Sequence, residues 1–137
     1  MKNEIRKICF FVFLMSYLYG CDYYDDRLVV NNRNTSNIYV VFSQDTVIRV
    51  NDINAFMMPD YFVKSNEKKN IIEPGSQKAW EFLAEKSLNQ QLHIFIFSED
   101  TLNKYVASTV VKMKKYTRRI DLGINELKIR NWVVVYE

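Results

Sequence analysis

The run Leu92-His93-Ile94-Phe95-Ile96-Phe97 constrains the fold more than any other part of the chain. Four of its six residues are β-branched or aromatic, which favours extended backbone. Side chains alternate across a strand, so Leu92, Ile94 and Ile96 share one face while His93, Phe95 and Phe97 share the other. Both faces are largely apolar, and such a strand needs cover on each side. It is therefore read as a central strand, and the rest of the chain must supply its neighbours.

With 137 residues the chain suits one domain with a single core. Only three glycines and two prolines are present, so turns must be marked by Asn and Asp, which tolerate left-handed backbone and bond to it locally. The same scarcity excludes collagen-like sequence and the glycine-rich loops that cradle phosphates. Residues 28–30 and 38–42 read as strands separated by the Asn-rich turn 31–37, which predicts a hairpin. A short strand is expected at 46–50. Residues 51–70 read mostly as loop, with a short strand at 61–63. The stretch 71–76 predicts a strand closed by a Pro74-Gly75 turn, with Gly75 supplying the positive φ.

Trp80, Leu83 and Ala84 recur at helical spacing and predict a short helix within 78–88. Residues 98–102 carry turn or single-turn-helix chemistry. Val111 and Met113 alternate with Lys112 and Lys114, which predicts an edge strand at 110–116 whose lysines discourage unwanted pairing. Gly123 is placed to cap a short helix, with Glu126 as the reciprocal half of a capping box and Leu127 as its apolar contact. In the final strand, 132–136, Trp132, Val134 and Tyr136 share one face. The expected fold is all-β and mainly antiparallel: a single β-sandwich-like domain over residues 28–137 with one or two short helices, preceded by a signal-peptide helix.

That signal is read from the first 20 residues. Lys2, Arg6 and Lys7 precede an apolar run of about 12 residues, within the ~7–15 of a secretory h-region and short of the ~20 that span a bilayer as a helix. The ending Leu18-Tyr19-Gly20-Cys21 resembles the lipobox of bacterial lipoproteins, in which the cysteine is acylated before cleavage. The resemblance implies Cys21 as the lipid attachment residue, membrane lipid as a partner through its acyl chains, and 21–27 as an acidic tether. Cys9 then leaves with the signal and Cys21 is blocked as a thioether, so the mature domain has neither thiol nor disulfide. The signal also removes three of the 19 bases and one of the 16 acids, so the mature chain is nearly neutral and nucleic acid is not indicated as a partner.

Asp22-Tyr23-Tyr24-Asp25-Asp26 is similar to the acidic cluster that follows the lipidated cysteine in Bacteroidota-type lipoproteins and accompanies export to the outer leaflet. Under enterobacterial sorting rules, Asp22 would instead imply retention at the inner membrane, and a plain solvated tether is the third reading. Residues 94–105, Asp121-Leu122, Leu127 and 131–136 resemble the C-terminal half of small Bacteroidota lipoproteins of unknown function. The resemblance implies a lipid-anchored location in the cell envelope, at the outer membrane, and brings no catalytic residue, cofactor or metal with it.

The side chains themselves offer little chemistry. A zinc site needs about three or four ligands, and the mature chain holds one histidine, His93, read as a packed or surface-facing strand residue. No nucleophile-elbow pattern surrounds a serine, although a Ser/His/Asp triad is assembled by the fold and not by spacing. Glu81 with Glu85, and Glu99 with Asp100, are carboxylate pairs of the type used in acid–base work, and equally solvated surface acids. Lys112, Lys114, Lys115, Arg118 and Arg119 put five bases into eight residues, to be read as a headgroup contact or as a solubilising edge. Tyr23 and Tyr24 are expected to be exposed. The functional expectation is a non-enzymatic binding or accessory module for an envelope protein or glycan, with a small envelope hydrolase as the alternative.

Overall fold

The structure is a computed structural model that describes residues 23–137. The expected signal-peptide helix and the expected lipid attachment residue Cys21 lie outside the described residues. Seven strands run in chain order: β1 (Tyr24–Asn32), β2 (Ile38–Ser43), β3 (Phe62–Val63), β4 (Lys68–Pro74), β5 (Gln91–Ser98), β6 (Arg118–Gly123) and β7 (Val133–Tyr136). Five short helices lie between them: α1 (Val50–Phe56), α2 (Ala79–Lys86), α3 (Glu99–Lys104), α4 (Ala107–Lys112) and α5 (Ile124–Ile129). One sheet has the order β4-β1-β7 and the other β3-β2-β5-β6. Every strand pair is antiparallel except β1 with β7.

Strand β5 lies between β2 and β6, and all six residues from Leu92 to Phe97 are buried. Its Leu92, Ile94 and Ile96 face the other sheet and join Leu28, Val30, Ile71, Val134 and Trp80 in the main core. Its Phe95 and Phe97 point the opposite way and pack with Ile53 of α1, Leu102 of α3 and Val110 of α4. The two-faced strand thus has a sheet on one side and a helical layer on the other. That layer is what the expectation of an all-β sandwich with one or two helices left out. Strand takes 37% of the described residues and helix 34%, so the domain is β-rich without being all-β.

Four local expectations are corrected. Strands β1 and β2 form no hairpin, because both edges of β1 are already paired and β2 lies in the other sheet. The Asn-rich segment is an arch between sheets: Asn32 Nδ2 donates to the carbonyls of Ser36 at 2.9 Å and Lys64 at 3.0 Å, while its Oδ1 accepts from Asn34 N at 3.0 Å. The strand expected at 46–50 is a bend leading into α1, where Asp52 Oδ2 accepts from Arg49 N at 2.9 Å and Ile53 is buried. Residues 110–116 hold the end of α4 and a turn, since Ala107, Val110 and Val111 follow helical spacing and Val110 is fully buried; the edge strand next to β5 is β6, which begins at Arg118. The folded body begins at Tyr24, four residues before Leu28, so most of the expected tether belongs to β1.

The Pro-Gly turn, the helix within 78–88 and the cap glycine agree with expectation, whereas residues 51–70, read mostly as loop, hold nearly all of α1, and the expected capping box does not close. Gly75 has φ 126° after β4, α2 buries Trp80 and Ala84 while leaving Phe82 exposed, and Gly123 stands at the N-cap of α5. Glu126 bonds forward to Arg130 at 3.1 Å instead of back to the cap. Ser98 Oγ accepts from Thr101 N at 3.2 Å and closes the start of α3. Chemical denaturation separates these contributions. Phe97→Ala is expected to lose about 3–5 kcal/mol, as a large buried ring leaves a cavity, whereas Ser98→Ala is expected to lose about 1 kcal/mol, as one cap bond goes.

Candidate functional site

A polar cluster stands near the start of β1. Asp25 and Arg27 stand two apart near the start of β1. Arg27 donates through Nε to Asp25 Oδ1 at 2.8 Å and through Nη2 to Oδ2 at 2.6 Å. Its other edge donates to Glu81 of α2, through Nη1 at 3.0 Å and through Nη2 to Oε2. Asp25 is buried and also accepts from Trp80 N at 3.3 Å, while Trp80 Nε1 donates to the Asp25 carbonyl at 3.2 Å. The guanidinium lies over the Trp132 ring, 4.1 Å from its centroid. One fork therefore joins β1, α2 and the turn before β7.

The electrostatics follow from this geometry. Hydrogen bonds to Asp25 and then Glu81 hold the Arg27 guanidinium still more firmly protonated. Burial pushes the Glu81 carboxyl up, but the Arg27 bond, a backbone bond and the Arg27 charge together outweigh it and hold the group below the ordinary range. Glu73 in β4 behaves oppositely: burial, then the nearby Asp25 charge, push its carboxyl up.

Two cavities flank the cluster. One of about 640 Å³ is lined by Tyr23, Tyr24, Asp25, Asp26, Arg27, Gln77 and Lys78. The second, about 590 Å³, lies under α2; Glu73, Glu81, Glu85 and the exposed Phe82 are among its walls. Tyr23 and Tyr24 are exposed, as the sequence implied.

His93 is fully buried, with Nδ1 2.8 Å from Asp121 Oδ1 across the β5–β6 ladder and Nε2 3.1 Å from the Leu88 carbonyl. Arg119 holds Asp121 in a fork at 2.8 and 2.7 Å and donates to the Thr46 carbonyl at 2.9 Å. Burial raises the Asp121 carboxyl, but the bonds from Arg119 and His93 prevail and hold it below its ordinary value. Both ring nitrogens of His93 are engaged, so the cluster ties the bend after β2 and the turn before β5 to the sheet. No serine hydroxyl bonds to this histidine among the described residues.

Of the carboxylates read from the sequence as pairs, Glu81 and Glu85 line one cavity, but one member of each pair is bonded elsewhere. Glu81 turns to Arg27, and Glu99 accepts from Asn37 Nδ2 at 2.9 Å. Among the described residues, no three His, Cys, Asp or Glu side chains converge as a metal site requires, and no helix is long and apolar enough to cross a membrane. Sequence reasoning missed both arginine forks. Their shared signal is an Asp and an Arg two apart on a strand, Asp25 with Arg27 and Arg119 with Asp121, a spacing that puts both on one face.

The architecture is thus a β-rich domain of two mostly antiparallel sheets with a helical layer on one of them. No family model, curated protein or solved structure matches the chain.

Two outcomes test these clusters. Arg27→Ala leaves the buried Asp25 carboxylate without its partner and is expected to cost about 3–5 kcal/mol by denaturation. A raised carboxyl favours folding below its unfolded value, near 4.5, and loses that contribution as pH rises through the folded value. Glu73→Gln is therefore expected to raise the melting temperature at pH 7 and to leave it unchanged near pH 3.5.

Proposed function

We propose that this protein is a lipid-anchored module of the bacterial cell envelope, held by acyl chains on Cys21 and acting by binding and not by catalysis. The reading keeps the likeness to Bacteroidota lipoproteins of unknown function, and with it an outer-membrane location. The observation that carries it is the position of the Arg27 cluster. If Cys21 bears the lipid, only two residue steps, at most about 7 Å, separate it from Tyr23 at the edge of the folded body. The expected seven-step tether is largely used up by β1, and the Arg27 fork clamps that strand within its first turn of chain.

Such an anchor seats the Tyr24 end of the molecule at the headgroup level. Exposed Tyr23 and Tyr24, with Lys78 nearby, suit that zone, since amphipathic rings and long cationic side chains favour a membrane interface. Two or three acyl chains make the attachment durable where one would not. A small hydrolase remains the second reading, supported by one observation: Glu73 and Glu81 line one cavity with their carboxyls pushed in opposite directions.

Metabolic labelling with a fatty-acid analogue tests the anchor. Wild-type protein is expected to incorporate the label and Cys21→Ala to lose it; equal labelling of the variant overturns the reading.

A further inference from the structure

The strand directions place the basic run far from the entry point of the chain. Strand β1 leads from Tyr24 to Asn32, eight residue steps, which at ~3.3 Å each is about 26 Å. The arch at 33–37 then delivers Ile38, and Ile38 pairs with Ser98 while Ile96 pairs with Arg118. Arg118 Nη1 also reaches the Glu137 carbonyl at 3.4 Å, just past the end of β7 that pairs with Asn32. The basic run therefore sits at the arch end of the molecule. It sits on the helical layer as well, two layers from the sheet that contains β1; with sheets ~10 Å apart and a helix ~10 Å across, that adds roughly 20 Å. The run and the entry point occupy opposite corners.

The run is also built to be presented. Helix α4 ends in a turn in which Lys114 N donates to Val111 O at 3.1 Å and Lys115 N to Val110 O at 3.0 Å. This is the arrangement in which glycine is usual at the left-handed position, yet here Lys114 occupies it, with φ 49°. The conformational cost is borne by a residue whose side chain contributes nothing to the core. Lys115 Nζ and Lys104 Nζ lie 4.4 and 5.4 Å from the Tyr105 ring centroid, which gathers charge around one ring. Among the described residues Lys104, Lys112, Lys114 and Lys115 form no ion pair, while the acids at this end are engaged, Glu99 with Asn37 and Glu137 with Arg33. Asp100 is the exposed exception.

We infer that this corner is a docking surface for a polyanionic glycan, one bearing carboxylate, phosphate or sulfate groups along its length. Charge complementarity selects the partner class, and geometry selects against the anchoring bilayer, since a link of about 7 Å cannot let a corner on the third layer reach the membrane that holds Cys21. The direction in which the surface faces rests on the proposed lipid anchor; its affinity for polyanions does not.

The test uses full-length protein in phosphatidylcholine nanodiscs, with dextran sulfate as the probe and neutral dextran as the control. Wild type is expected to bind dextran sulfate alone, with affinity falling as salt is raised. The triple variant Lys112→Ala, Lys114→Gly, Lys115→Ala is expected to lose at least tenfold in affinity, while Lys128→Ala is unchanged. Lys114→Gly by itself is expected to raise the melting temperature by relieving the left-handed residue, so lost binding is not lost folding. Unaltered affinity in the triple variant, or insensitivity to salt, overturns the proposal. So does binding to phosphatidylglycerol vesicles that depends on the same lysines and exceeds that for dextran sulfate, since the surface would then serve lipid. Failure of the anchor reading looks different: the protein is not retained by nanodiscs, yet in solution it binds dextran sulfate with the same dependence on these lysines.

Discussion

The Arg27 guanidinium is the interaction on which the rest of the structure depends. A planar cation with donors on both edges can satisfy two carboxylates at once and still present a face to an aromatic ring, and Arg27 does all three, with Asp25, Glu81 and Trp132. Because Asp25 in turn accepts from the Trp80 backbone, the largest buried ring is fixed by the same cluster. A buried carboxylate would be a heavy burden alone; paired and hydrogen-bonded, it defines where β1 begins. Among the described residues every buried side-chain nitrogen or oxygen finds a partner, so this polar centre is complete.

The second fork, Arg119 with Asp121 and His93, performs a comparable task on the other sheet. It has no aromatic lid as close as Trp132, but it gathers the carbonyls of Thr46, in the bend after β2, and Leu88, in the 3-10 turn before β5. The two clusters divide the work: one fixes the entry of the chain and the first sheet against α2, and the other fixes the loops that lead to and from the helical layer. In a domain expected to carry no disulfide when mature, such polar clamps supply long-range cross-links that cysteines would otherwise provide.

Much of the sheet core was legible because side-chain alternation is a local property. The 92–97 run, the Pro74-Gly75 turn and the shared buried face of Val134 and Tyr136 followed from residue type and spacing, although Trp132, expected to open that strand, stands in the turn before it with φ 61°. What failed was partner choice and helix near a valine run. Whether β1 turns back on β2 or crosses to another sheet depends on β7, more than a hundred residues away, and no local pattern reports it. Val110 and Val111 read as strand by propensity, yet burial of Val110 against Phe95 and Phe97 favours helix there, an instance of tertiary packing overriding a weak preference. For the site, the arginine forks were hidden because a strand pair of opposite charges looks like an ordinary solvated surface until an element from elsewhere buries it.

The parallel pairing of β1 with β7 has a kinetic meaning. Strand β1 is the middle strand of its sheet, and one of its edges stays open until β7, far along the chain, has emerged. Contacts of such long separation form slowly, because the loop between them must be closed before they contribute anything. A chain exported from its N-terminal end would therefore cross a membrane with its first sheet unfinished. Completion of the first sheet thus coincides with the arrival of the last strand.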